Sequence, residues 1–460
     1  IVPQETMELG LEDVRLAALE NNLELEVELM SPAIAATVID EEEAKFESVF
    51  FGSVNYTKID SPTAVGTEGT QTDFLSTEFG VSVPLRTGGV LQASVPLSET
   101  DTNNPFSLLN PSYDAGVQFS ISQPLLRGAG PRANTHSIRV AKHQAQIANA
   151  RTKLETIRIL ANADRAYWRL YAAQRELDVR IEEHRLAVRQ LERAERQVQA
   201  RTAPEIEVTR AQSGVARRLE AIIIAHTLVK QRTRELKRLM NRNGLPLDSD
   251  VQFVLRSDPD PVALEFDRRA LQAFAVANRM EMLELEIRLA IDASTIDFQR
   301  NAALPLFTVD YRYTQRGLGG TYNDAFDQIV DRSFADWTAA AQVEIPIGNE
   351  AAEARVHRAI LERVQRLSTR AQRAQAIREE VLDALDQLEQ NWQRILAARQ
   401  EAILAGRTLE AEQRQFEVGA TTSTDVLDAA ARLSNAQSAE IQALADYQIS
   451  QIDLAFATGT

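Results

Sequence analysis

The chain has 460 residues, room for two or three ordinary domains, with 25% charged residues and a formal net charge of -16. The acidic balance argues against nucleic acid as a partner, and the absence of cysteine excludes disulfides, thiol catalysis and Cys-ligated zinc. No apolar run approaches the ~20 residues of a membrane-spanning helix, so composition alone describes an acidic helical protein.

In chain order, an opening helical region leads to a first strand in which Phe50, Gly52, Val54 and Tyr56 share one face. Residues 74–98 read as a hairpin turning at Arg86-Thr87-Gly88-Gly89. Pro84 and Pro96 sit inside its strands, which favours edge or loop positions. This hairpin is read as an accessory near the outer end of a barrel, with two further membrane strands as the alternative. A partner strand then places Val117, Phe119 and Ile121 on one face. No proline falls between Asn134 and Ala203, and the composition there favours one long helix over about 134–201. Nearly 70 residues at about 1.5 Å each would span ~100 Å. A tip at Arg201-Thr202-Ala203-Pro204-Glu205 reverses the chain into a return helix over 205–243, closed by Asn243-Gly244.

The second half repeats this plan. Strands are expected at about 305–316 and 336–347, a long helix at 350–418, a tip at Val418-Gly419-Ala420-Thr421-Thr422, and a return helix at 424–457. Heptad seams run through both long helices: Ala163, Tyr167, Leu170, Gln174, Leu177, Ile181, His184, Val188 and Leu191 in the first, Val381, Leu385, Leu388, Trp392, Ile395, Leu409 and Phe416 in the second. A shift of 257 positions superposes Asn21 on Asn278, Ile39-Asp40 on Ile296-Asp297, Phe50 on Phe307 and Tyr56-Thr57 on Tyr313-Thr314. The chain is therefore read as a duplication, with repeats at 1–247 and 248–460.

The strands alternate apolar and polar residues and approach the 9–11 residues that a transmembrane strand needs. Two strands per repeat make four per chain. Four cannot close, and open edges are not tolerated in lipid, so the barrel must be completed by other copies. Three copies of four would make twelve strands.

Local motifs then carry a resemblance. Phe416-Glu417-Val418-Gly419-Ala420-Thr421, followed by Thr424-Asp425-Val426-Leu427-Asp428-Ala429, resembles the second periplasmic tip of TolC-type outer-membrane efflux proteins. Leu433, Asn435-Ala436, Asp446-Tyr447 and Gln451 continue the match. Gln123-Pro124-Leu125-Leu126-Arg127-Gly128 resembles a strand-to-helix junction of one branch, and Leu11-Glu12-Asp13-Val14 with Asn21-Asn22 resembles the opening helix. The resemblance implies a homotrimer with a twelve-stranded outer-membrane barrel and an α-helical tunnel, in a Gram-negative bacterium, most of the chain being periplasmic. It implies export of small molecules or polypeptides, with a periplasmic adaptor and, through it, an inner-membrane transporter as partners.

The residues give Asp425 and Asp428 three readings: cap and dipole partners at a helix start, with Ser423 or Thr424 as the cap; a metal or acid/base pair; or a charged ring. The resemblance places the family's aspartate constriction at these two positions, with Glu207 as the corresponding residue of the first return helix. It also implies adaptor docking at Val418 to Thr422 and at Arg201 to Glu205, although Arg201 stands where the second tip has Gly419. His136, His143, His184, His226 and His357 are scattered, and His184 reads as a polar seam residue. Gly317-Leu318-Gly319-Gly320 reads as a loop, and no phosphate loop or nucleophile elbow is present. No catalysis, metal or cofactor is therefore expected. The rival reading is a soluble or peripheral periplasmic coiled-coil adaptor.

Overall fold

The computed structural model describes residues 6–63 and 69–460, so the first five residues of the first repeat lie outside it. The first half runs β1 (Thr6–Leu9), α1 (Leu11–Asn21), α2 (Leu23–Glu43), β2 (Val49–Asp60), β3 (Gln71–Pro84), β4 (Val90–Thr102), β5 (Ser112–Pro124), α3 (Pro131–Asn134), α4 (His136–Gln199) and α5 (Ile206–Met240). The second runs β6 (Gln252–Leu255), α6 (Arg268–Asn278), α7 (Met280–Ala302), β7 (Leu306–Gly319), α8 (Tyr322–Val330), β8 (Phe334–Glu344), α9 (Glu350–Glu417) and α10 (Ser423–Thr458). Both ends of α1 and α6 differ by the same 257 positions found in the sequence. None of the helices is long and apolar enough to cross a membrane, among the described residues.

The chain divides into two compact units, and each draws on both halves of the sequence. The first comprises residues 1–32, 148–284 and 369–460. Its main core joins Leu9, Val14, Tyr167, Leu170, Leu236, Met240 and Phe253, beside the parallel pair β1–β6. Full burial of such side chains contributes roughly 1.5–3 kcal/mol each. The Tyr167 hydroxyl accepts from the Ser257 amide at 2.9 Å, so its polar end is satisfied. Buried Asp164 takes a two-pronged ion pair from Arg15.

The α9 seam is buried as its spacing predicts at Val381, Leu385, Leu388, Ile395, Leu409 and Phe416, with Trp392 half-buried. On α4 the seam departs from expectation. Past Ala173 the buried stripe is Glu183, Ala187, Gln190 and Ala194, one position before His184, Val188 and Leu191, which are half-buried. Alanine at the centre lets neighbouring helices approach closely, and the bulkier residues flank the contact.

The second unit comprises residues 33–147 and 285–368, and holds one antiparallel sheet in the order β2-β3-β4-β5-β7-β8. The expected count of four strands becomes six, because the 74–98 hairpin is inserted in the sheet between β2 and β5. Pro96 is tolerated inside it for two reasons. The β4–β5 ladder lapses around this residue, and Gly116 lies opposite, its missing Cβ position 3.2 Å from the proline Cγ. Nor is the hairpin turn at the outer end. It lies at the end where strands meet helices: the Gly130 amide donates to Thr87 O at 2.9 Å, Gln123 Nε2 donates to the same oxygen at 3.1 Å, and a Cβ on Gly88 would fall 2.1 Å from Gly128 O.

The two faces of the sheet differ most clearly in its middle rows. One row crosses all six strands as Phe50, Val81, Ala93, Phe119, Tyr313 and Trp337. The adjacent row on the other face is Phe51, Gly80, Ser94, Gln118, Thr314 and Asp336. On the apolar face Phe50, Val54 and Trp337 are 71%, 72% and 70% exposed, far more than a core would leave. Gly317 and Gly319 belong to β7 rather than to a loop. With no side chains there, α8 lies directly on that strand, Ala325 O standing 1.9 Å from where a Gly317 Cβ would be. Tyr113 and Tyr322 meet edge-on at 4.6 Å beside it.

Gly88 tests the seating of the hairpin turn. Its φ of 90° and the abutting Gly128 carbonyl leave no place for a side chain. We expect Gly88→Ala to destabilise the sheet by about 2 kcal/mol and to expose the turn to trypsin at Arg86. An unchanged digestion pattern and melting temperature would contradict this seating.

Candidate functional site

Both helical hairpins turn with the same backbone. In the first tip the Arg201 amide donates to Val198 O at 2.9 Å and the Thr202 amide to Gln197 O at 2.9 Å. In the second the Gly419 amide donates to Phe416 O at 3.0 Å and the Ala420 amide to Gln415 O at 2.9 Å. Arg201 (φ 57°) and Gly419 (φ 76°) take the same left-handed position that ends a helix by satisfying its last carbonyls. The difference in residue type thus leaves the backbone path alike. Val418, Gly419, Ala420 and Thr422 are exposed and Thr421 half-buried; Arg201, Thr202, Pro204 and Glu205 are exposed and Ala203 half-buried.

At the start of α10 the cap is Thr422, not Ser423 or Thr424. Its hydroxyl accepts from the Asp425 amide at 3.4 Å, while Asp425 Oδ2 accepts from the Thr422 amide at 2.8 Å and its hydroxyl at 2.7 Å. Hydrogen bonds from the Thr422 hydroxyl and amide hold the Asp425 carboxyl below its ordinary value. A depressed carboxylate stabilises its cap above the unfolded value of about 3.9 and loses that effect as pH falls through the folded value. Asp428 lies one turn on, exposed on the same face, with Arg432 and Asn435 continuing that stripe.

Ser423 is buried because it anchors α10 to two other helices. Its amide donates to Glu207 Oε2 on α5 at 3.3 Å, and its hydroxyl accepts from Gln190 Nε2 on α4 at 3.1 Å. Glu207, which also pairs with Arg210 at 2.7 Å, is thus a partner of the opposite return helix. One turn further, Arg218 of α5 donates to Leu427 O on α10 at 2.7 Å and pairs with Glu183 of α4 at 3.2 Å. Burial lowers the Arg218 pKa, and the Glu183 charge acts against that shift. Gly214 makes the helix approach possible, its missing Cβ position 2.8 Å from Leu427 Cδ1. Glu183, Gln190 and Arg218 were not singled out from the sequence, and Ser423 only as a candidate cap. A signal existed: Ala211, Gly214 and Arg218 fall on one helical stripe, where an arginine among small residues marks a buried charge.

Among the described residues no three or more His, Asp or Glu side chains are grouped to hold a metal. Asp425 and Asp428 are brought together on one helix face with Glu207 nearby through Ser423, and the scattered histidines do not join them.

Residues 273–460 match the family model described as outer membrane efflux protein. No sequence among curated proteins matches the chain. In fold it is similar to a membrane protein from Pseudomonas aeruginosa (TM-score 0.73, 16% identity, 98% of this chain and 92% of that one). It is also similar to the CmeC outer membrane channel of Campylobacter jejuni (0.69, 16%, 98% and 85%) and the outer membrane protein VceC of Vibrio cholerae (0.68, 14%, 98% and 96%). The family match thus covers residues 273–460, and the likeness in fold covers nearly all of the chain. The resemblance read from the second tip and its continuation, which lie within the matched residues, is borne out.

The two tips give a test of opposite signs. We expect Gly419→Ala to destabilise by about 1 kcal/mol, because a Cβ is disfavoured in the left-handed region. Arg201→Gly should stabilise by up to about 1 kcal/mol, less what glycine adds to unfolded-chain entropy. Thermal denaturation of the purified protein measures both; equal signs would contradict the shared geometry.

Proposed function

We propose that the protein is a trimeric outer-membrane conduit that exports small molecules or polypeptides, working with a periplasmic adaptor and, through it, an inner-membrane transporter. The observation that carries this reading is an open sheet with one apolar, exposed face, one polar face and two unpaired edges, β2 and β8. In hydrocarbon such edges must be paired, and other copies of the chain supply the partners. Exposed apolar residues on the helices, among them Ile223 and Ile224 of α5 and Leu361 and Val364 of α9, fit surfaces covered by neighbouring copies. The family match and the channel folds support the same reading.

In this reading Asp425, Asp428 and Glu207 form the constriction. Three copies bring six aspartates around one axis, a ring that attracts cations and binds multivalent ones. Asp425 has a second duty as cap, so Asp428 is the residue committed to the ring. Opening moves the return helices outward. For α10 this means releasing Ser423 from Glu207 and Gln190, and Leu427 O from Arg218. A partner that binds the open arrangement better supplies the free energy. The exposed tips, Val418 to Thr422 and Arg201 to Glu205, are the adaptor-docking surface.

Outer membranes of an expressing Gram-negative host should release the protein only with detergent, as a particle of three chains by mass. A monomer stable in plain buffer would favour the coiled-coil adaptor instead. In planar bilayers, replacing Asp425 and Asp428 by alanine should weaken block by multivalent cations at least tenfold. Asp428→Asn alone should weaken block while leaving the melting temperature in place, whereas Asp425→Ala should lower both. Unchanged block in the double variant would remove the gate assignment.

A further inference from the structure

The hairpin that enters the sheet changes what three copies can build. We propose that each chain contributes all six strands to the barrel wall, so that three copies close an eighteen-stranded barrel. This rests on the reading above that three chains share one barrel.

Four observations on the sheet carry it. The six strands have comparable lengths of 12, 14, 13, 13, 14 and 11 residues, so none is a stub beside the others. The apolar row from Phe50 to Trp337 passes through β3 and β4 at Val81 and Ala93 without a break, and its polar neighbour does so through Gly80 and Ser94. A hairpin lying outside the wall would have no reason to keep either alternation in register with the rest. Every pairing in the sheet is antiparallel, and six is even. The edge β8 of one copy therefore meets β2 of the next antiparallel, the arrangement that transmembrane barrels use. Finally, the turn of the hairpin is fastened at the strand–helix junction through Thr87, Gly88, Gln123, Gly128 and Gly130. A wall of four strands would require β2 to leave β3, β5 to leave β4, and these contacts to part.

Barrel diameter grows about linearly with strand number, so eighteen strands give about one and a half times the diameter of twelve. Barrels of that size hold an aqueous channel. The inner face carries mostly Ser, Thr, Gln and residues of both charges, Glu78, Asp310, Arg312 and Asp336 among them, with Phe51 and Phe74 as apolar exceptions. The barrel segment is then a wide hydrated exit, and selection falls to other parts of the conduit.

The chain contains no cysteine, so engineered pairs report without background. Phe50→Cys with Val81→Cys, and Ala93→Cys with Phe119→Cys, should each close a bond within one chain on oxidation in intact outer membranes. Phe50→Cys with Phe119→Cys should not, since two intervening strands hold those positions about 14 Å apart, beyond disulfide reach. Strands counted by electron cryomicroscopy of the detergent-extracted assembly should number eighteen. A trimer with twelve strands, or a Phe50–Phe119 crosslink, overturns this inference and leaves the conduit standing. A chain that does not trimerise in the membrane overturns both.

Discussion

A β-strand at the edge of a sheet carries a row of backbone donors and acceptors with no partner, and much in this protein turns on how that row is satisfied. β2 and β8 are such edges, both exposed along their length. In water they invite uncontrolled association, and in hydrocarbon they cannot persist. The apolar face that joins them extends the same constraint, since a surface of Phe, Val, Tyr and Trp is stable only against lipid or protein. The proposed closure by symmetric copies resolves both with one arrangement.

The helical unit solves a different problem. Long helices packed at close range need small residues at the contact, and α4 supplies them as Ala187 and Ala194, alternating with Glu183 and Gln190. Those two polar residues are buried with their partners, Arg218 and Ser423, so the contact that brings α4, α5 and α10 together is also the one that specifies their alignment. A buried ion pair adds little net stability over a well-packed apolar pair, but removing one member leaves an uncompensated charge. Such a tie favours one arrangement strongly while remaining releasable as a whole, which suits the proposed outward movement of the return helices.

Glycine recurs wherever backbones meet. Gly88 faces the Gly128 carbonyl, Gly214 faces Leu427, and Gly317 receives α8. Each is a place where a side chain would push two elements apart. The first and third lie within the sheet unit and the second within the helical one.

Much of the plan was legible in the chain itself. Periodicity marks helices and strands because side-chain direction repeats every 3.6 or 2 residues whatever the surroundings. The α9 seam, the strand faces and the tip motif are all local properties of this kind. Tertiary structure alone decided the matters that depend on distant residues: that the 74–98 hairpin sits within the sheet, that Pro96 is accommodated by Gly116, that Arg201 turns as Gly419 does, and that the α4 stripe moves by one position toward Glu183. Glu207 shows the difference most clearly. Its place on the first return helix could be read from alignment of the two halves, but its bond to the Ser423 amide joins residues 216 apart, and no local pattern encodes which helix comes to lie beside it.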